Sequence, residues 1–180
     1  MFVQTEVTPN PNSLKFLPGK TVSNNGSFEV TKKEEVDNEL VRNILSINGV
    51  TGVFLGSDFL SINKNQDISW EDIKHIAISL INDFYSTGKE FVIENGLSAE
   101  KKQEHNEIEK QIISILEKKI RPAVAKDGGD IKFKEFKDGI VKVELQGSCS
   151  GCPSSTMTLK QGVQNLLCHY LPEVKEVIAV

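Results

Sequence analysis

The sequence predicts an α+β protein built as two small domains. Three observations carry that expectation. Short runs that alternate apolar and polar residues share the chain with longer stretches whose apolar side chains recur at i, i+3 and i+4, so strand and helix periods are both present. A length of 180 residues accommodates two compact units of ordinary size. Between them, residues 95–107, "NGLSAEKKQEHNE", are polar and nearly devoid of apolar side chains, the composition of a linker that runs into the first turn of a helix. The expected organisation is an N-terminal domain over residues 1–95, a linker over 96–106 and a C-terminal domain over 107–180.

In the first domain, "FVQTEV" and "SLKFL" read as strands joined by the turn "TPNPN", whose prolines and asparagines break any regular element. Residues 38–47 carry Leu40, Val41, Ile44 and Leu45 on one helical stripe, which Asn48 and Gly49 would cap. "VTGVFLG" and "DFLSIN" make a second strand pair around Gly56 and Ser57. Ser69, with Asp72 three residues on, resembles a capping box that opens a helix through Ile73, Ile76, Ala77, Leu80, Ile81 and Phe84.

The second domain reads α-β-β-α-β, with two helices covering one face of a three-stranded sheet. Ile108, Ile112, Ile115, Leu116 and Ile120 mark the first helix, which Pro122 is expected to end or kink. "IKFKEF" and "IVKVEL" flank Lys137-Asp138-Gly139, a strong hairpin signal. Phe136 breaks the alternation of the first strand, the mark of a bulge. Pro153 suits the first position of a helix through Met157, Leu159, Val163, Leu166, Leu167 and Tyr170; Pro172 ends it, and "VKEVIAV" is a last strand. No internal repeat links the two halves.

Composition narrows the function classes. A net charge of −4 gives no electrostatic reason to expect nucleic acid or an anionic membrane as partner. No apolar run approaches the ~20 residues that cross a bilayer. "MFVQTEVTPN" has neither a secretory nor a transit-peptide pattern, and three cysteines cannot all pair within one chain. The expected compartment is the reducing cytoplasm, where a Cys-x-x-Cys serves metal binding or catalysis rather than a structural disulfide.

That motif is Cys149 and Cys152, in "LQGSCSGCPSST". Gly147, Ser148, Ser150 and Gly151 let backbone approach a bulky ligand and leave amides free to face sulfur. The helix that starts near Pro153 presents unpaired amides and a positive dipole end, which favour thiolate and a bound anionic group. Ligand counting then constrains the site, because structural zinc and common iron–sulfur clusters take four protein ligands. Cys168 lies sixteen residues beyond Cys152, roughly 24 Å along a continuous helix, and reads as a half-buried filler beside Leu167. His169 is too far away for the same reason, and His75 and His105 have no supporting spacing. One chain therefore offers two ligands; a second copy or an external thiol must supply the rest. A thioredoxin-like dithiol and a zinc-binding adaptor remain alternatives, although only one strand follows the motif's helix and no aromatic precedes Cys149.

"RPAVAKDGGDI" at 121–131, "LQGSCSGCPSSTMTLKQGVQ" at 145–164 and "LPEVKEV" at 171–177 closely resemble the C-terminal domain of the NifU family, also called the Nfu domain. "TPNPNSLKF" at 8–16 and "GVTGVFLGSDFLSINK" at 49–64 resemble the domain that precedes it in Nfu-type proteins. The resemblance implies an iron–sulfur cluster scaffold or carrier, not an enzyme. It implies a [4Fe–4S] cluster shared between two chains, with Cys149 and Cys152 as the ligands carried over. The implied partners are a second copy of the chain and recipient apo iron–sulfur proteins, with room for an upstream cluster scaffold as donor.

Overall fold

The computed structural model describes residues 3–23, 27–89, 106–148 and 153–180, the side chains of 153–156 excepted. The chain divides into two compact units, Met1–Ala99 and Glu100–Val180. Together they are α+β, with one sheet in each.

The first unit is a five-stranded antiparallel sheet with two helices on one face. Its strands are β1 (Gln4–Val7), β2 (Ser13–Leu17), β3 (Phe28–Val30), β4 (Val50–Leu55) and β5 (Leu60–Lys64), in the order β1-β2-β5-β4-β3. The helices are α1 (Glu39–Leu45) and α2 (Trp70–Ser86). Alternation sorts each strand's side chains: Leu14 and Phe16 of β2, Val53 and Leu55 of β4, and Leu60 and Ile62 of β5 all join the helices in one buried core. β3 went unread in the sequence because three residues cannot display a period. Helix α1 stops earlier than Asn48–Gly49. Ser46 caps it, its hydroxyl donating to the Arg42 carbonyl at 2.8 Å. Gly49 instead takes a left-handed turn (φ 90°) against Ile68, where a methyl group would overlap that side chain. Ser69 does cap α2, but by accepting from the Glu71 amide at 3.2 Å, with no reciprocal box to Asp72. Of the α2 stripe, Ile73, Ala77, Ile81 and Phe84 are buried, whereas Ile76 faces outward.

In the second unit, α3 (Glu107–Ile115) opens on a full capping box. The Asn106 side chain accepts from the Glu109 amide at 2.9 Å, and the Glu109 carboxylate accepts from the Asn106 amide at 3.0 Å. The N-x-x-E signal was present in the sequence and was passed over as linker; the rest of the expected linker, 96–105, lies outside the described residues. Pro122 does not end the helix. It has no N–H for the Lys118 carbonyl, and its ring would press on that carbonyl if the helix stayed tight. The helix widens instead into a π-turn at Leu116–Ile120, where the Arg121 amide reaches back to Leu116, and then continues as α4 (Arg121–Lys126).

The strands β6 (Gly129–Lys137) and β7 (Ile140–Gly147) form the expected hairpin. Asp138 (φ 54°) and Gly139 (φ 80°) both take left-handed conformations, as a two-residue type I′ turn requires. The bulge falls between Phe133 and Glu135, and the extra residue returns Phe136 to the face of Ile131 and Phe133. Helix α5 (Pro153–Tyr170) then carries the chain across to β8 (Glu176–Ala179), which pairs parallel with β7. Ile112 and Leu116 from the first helix, Val163 and Leu167 from α5, and Ile131, Val141, Val143 and Val177 from the sheet close a single core. Met157 (74% exposed) and Tyr170 (50%), both of the α5 stripe, stay outside it. No helix among the described residues is long and apolar enough to cross a membrane.

Candidate functional site

Cys149 and Cys152 lie outside the described residues, but both walls of their connector are described. β7 delivers the chain as far as Gly147, and α5 takes it up at Pro153. Ser148, 2% exposed, fastens the start of the connector: its amide donates to the Gly128 carbonyl at 3.2 Å, and its hydroxyl donates to the carbonyl of Asp127. Both acceptors belong to the turn between α4 and β6. Gly129 and Gly147 face each other across the ladder, with Gly147 at φ 65°, a conformation that suits glycine as the strand ends.

One register step along, Asp130 sits opposite Gln146. Asp130 is 5% exposed and its carboxylate is held on two sides. Arg121 grips it bidentately, Nε to Oδ1 at 3.0 Å and Nη2 to Oδ2 at 2.8 Å, and the Ile131 amide donates to Oδ1 at 2.8 Å. A buried carboxylate needs such a partner, and the planar guanidinium fork supplies two parallel bonds. The π-turn has a direct part in this, since it precedes Arg121 and sets where that side chain leaves the helix. Gln146 differs from both neighbours. It is 8% exposed, and its Oε1 has no hydrogen-bond partner among the described residues.

On the other side of the connector, α5 is an eighteen-residue helix whose first amides lack intrahelical acceptors. The positive end of such a helix favours negative charge close to its first turn.

The remaining candidates separate from this site. Cys168 is half-buried against the second core, with Sγ 3.2 Å from the Val174 carbonyl. It stands fifteen residues after Pro153, about 22 Å along the helix axis, and packs far from the start of the helix. His169 is exposed, its ring edge-on to Tyr170 at 5.2 Å, and His75 is exposed on α2. His105 lies outside the described residues. No group of three or more His, Cys, Asp or Glu side chains is placed to hold a metal among the described residues. The sequence reading missed Arg121, Asp130 and Gln146 as site neighbours, and named Ser148 only as a small residue beside the cysteines. Periodicity reports apolar burial, so a polar residue that sinks at a strand end leaves no trace in it.

Fold and connector together define a two-unit α+β protein whose second unit carries a Cys-x-x-Cys between a hairpin and a helix. Residues 3–88 match the family model "Scaffold protein Nfu/NifU N terminal", and residues 112–178 match "NifU-like domain". The chain is 44% identical over 180 residues to "NFU1 iron-sulfur cluster scaffold homolog, mitochondrial" of Homo sapiens, covering 98% of this chain and 71% of that protein. It is 44% identical over 184 residues to "NifU-like protein 4, mitochondrial" of Arabidopsis thaliana, covering 98% of this chain and 65% of that one. With "NifU-like protein 5, mitochondrial" of the same plant it shares 42% over 184 residues, 98% of this chain and 67% of the relative. The chain belongs to the NifU/Nfu family, and spans about two-thirds of the length of these relatives.

One expectation is overturned. The cytoplasmic assignment is withdrawn, because these three relatives are each named mitochondrial. The physical reason is that a Cys-x-x-Cys requires reducing surroundings, a condition that does not single out the cytoplasm.

Proposed function

We propose that this protein is a scaffold and carrier for iron–sulfur clusters, holding a labile [4Fe–4S] cluster between two copies through Cys149 and Cys152 of each and passing it to apo-proteins. The observation that carries the reading is family membership along nearly the whole chain, with relatives named as iron–sulfur cluster scaffolds. The donor set fits the cargo: two soft thiolate ligands per chain, small residues around them, and a helix start that favours an anionic group. Cys168 is out of reach, so half of a four-ligand set must come from elsewhere, and a second copy is the source we favour.

Each part of the chain then has a task. Cys149 and Cys152 bind; Ser148, tied to the α4–β6 turn, fixes where the connector begins. Parting the two copies removes half the ligands, and thiols of an incoming apo-protein exchange onto the cluster one sulfur at a time. No bond of a substrate is turned over, so the protein is a carrier rather than an enzyme. We assign the cluster to the C-terminal domain, residues 107–180, and the choice of partner to the N-terminal domain, residues 1–95, with 96–106 as linker. The partners are a second copy, recipient apo iron–sulfur proteins and an upstream scaffold as donor.

Anaerobic reconstitution with iron and sulfide tests this directly. About four irons and four sulfides per two chains are expected, with broad visible absorbance and a dimeric mass. Cys149→Ala or Cys152→Ala should abolish loading, and Cys168→Ala should leave it intact. Reduction of disulfide substrates by metal-free monomer, or tight zinc binding without sulfide, would replace this reading with one of its rivals.

A further inference from the structure

Along most of β6 and β7 the polar side chains are solvated and ion-paired: Lys134 meets Glu144 at 2.6 Å, and Lys142 meets Glu135 at 3.0 Å. At the end that leads into Cys149 the pattern reverses, and three polar side chains sink below the surface: Asp130, Gln146 and Ser148. Two are satisfied, Asp130 by Arg121 and Ser148 by the α4–β6 turn. Gln146 is the exception, with a buried Oε1 that has no partner among the described residues. Burying such a group unpaired weakens the folding equilibrium by about five- to 150-fold, a cost that leucine or methionine in the same place would not incur. Ser13 Oγ and Asn82 Oδ1 share the property, but they lie in the unit without cysteines.

We propose that Gln146 is a further contact residue for the cargo, its carboxamide donating an N–H hydrogen bond to a sulfur of the cluster held by Cys149 and Cys152. The inference rests on the function proposed above. Gln146 precedes Cys149 by three residues, so their Cα atoms are within about 10 Å however the connector runs. The last torsion of a glutamine is soft and two-fold, so either end of the carboxamide can occupy the unpartnered position. Sulfides and thiolates of an anionic cluster accept hydrogen bonds, and such bonds set its potential and its retention. Oε1 is without a partner among the described residues, and the loaded protein would pair the carboxamide.

The test uses the full chain with Gln146→Leu, loaded anaerobically beside the wild type. If the wild type takes up no cluster, the proposed function itself fails. If it loads, the leucine variant should lose its cluster to a chelator about tenfold faster and show a shifted reduction potential. The metal-free variant should melt no lower than the wild type, and by removal of the unpaired group about 4–8 °C higher. Equal rates of cluster loss overturn the inference whatever the melting temperature does. Faster loss with a lower metal-free melting temperature also overturns it, since Gln146 would then be a structural residue. Gln146→Met, unbranched and of similar length, carries the same readouts if the leucine variant fails to fold.

Discussion

In the first unit, buried polar groups close a loop. The Lys64 ammonium donates to Asn12 Oδ1 and to the Asn65 carbonyl, both at 3.2 Å, and the Trp70 indole donates to the Pro11 carbonyl at 3.0 Å. The Thr8 hydroxyl meets the carbonyls of Asn10 and Ser13, each at 2.9 Å, so the "TPNPN" turn is bound from within and from below. In the second unit, Arg121, Asp130 and Ser148 gather where the hairpin hands over to the cysteine connector. Both units fasten a turn with side chains that periodicity cannot foresee. Only the second places that fastening next to thiols. A fixed turn is therefore a general property of this chain, and what marks the second one as a candidate site is that Ser148 directly precedes Cys149 in the sequence.

The largest effect that would break this comparison is loss of the first unit's core. Phe16, fully buried on β2, should cost about 3–5 kcal/mol when replaced by alanine. Denaturation followed at Trp70 should register that loss, while iron per chain after reconstitution stays at the wild-type value. Reduced loading in Phe16→Ala would show that the first unit takes part in holding the cluster.

A smaller change sharpens it from the other side. Asp130→Asn leaves the Arg121 fork without its carboxylate and should cost about 1–3 kcal/mol, discounted because Arg121 is partly exposed. Chemical denaturation of the metal-free chain measures that cost, and chelator challenge of the loaded chain should show faster cluster release. Unchanged release would detach the Arg121–Asp130 pair from the site and leave it as fold stability alone.

The smallest effect is a pH dependence confined to the first unit. Burial of Tyr85 pushes its phenol up to about 12, against an ordinary value of 10.0. The sign follows from that direction. Below pH 10 the phenol is protonated in folded and unfolded chain alike, so its contribution is complete; above pH 10 the unfolded chain ionises first, and stability falls until the folded phenol titrates. Melting curves between pH 9 and 12 should show this loss for the wild type and a shallower one for Tyr85→Phe. Equal slopes would remove Tyr85 as the cause.

Most of the architecture was legible in the sequence because most of it is periodic. The Asp138–Gly139 turn, the bulge announced by Phe136, the burial of Ile73, Ala77 and Ile81, and the packing role of Cys168 all follow from local chemistry. Several of the misses come from interactions between residues distant in sequence. Nothing near Gln146 in the chain says that it will be buried with no partner for Oε1 among the described residues, and nothing near Ile76 or Met157 says that a helix will turn them outward. Helix α4 is a different failure. Pro122 excludes a tight helix, but the backbone has a wider turn available.

That wider turn has a consequence for how the family's sequences can vary in length. A π-turn is an α-helix carrying one residue more than its span needs. Between Leu116 and Ile120 the chain therefore holds one residue more than an ordinary helix needs, and deleting it would bring the Pro122 ring back against the carbonyl one tight turn earlier. What such a deletion would forfeit is the direction in which Arg121 leaves the helix, and with it the grip on Asp130. Length in this short segment is thus coupled both to Pro122 and to one ion pair.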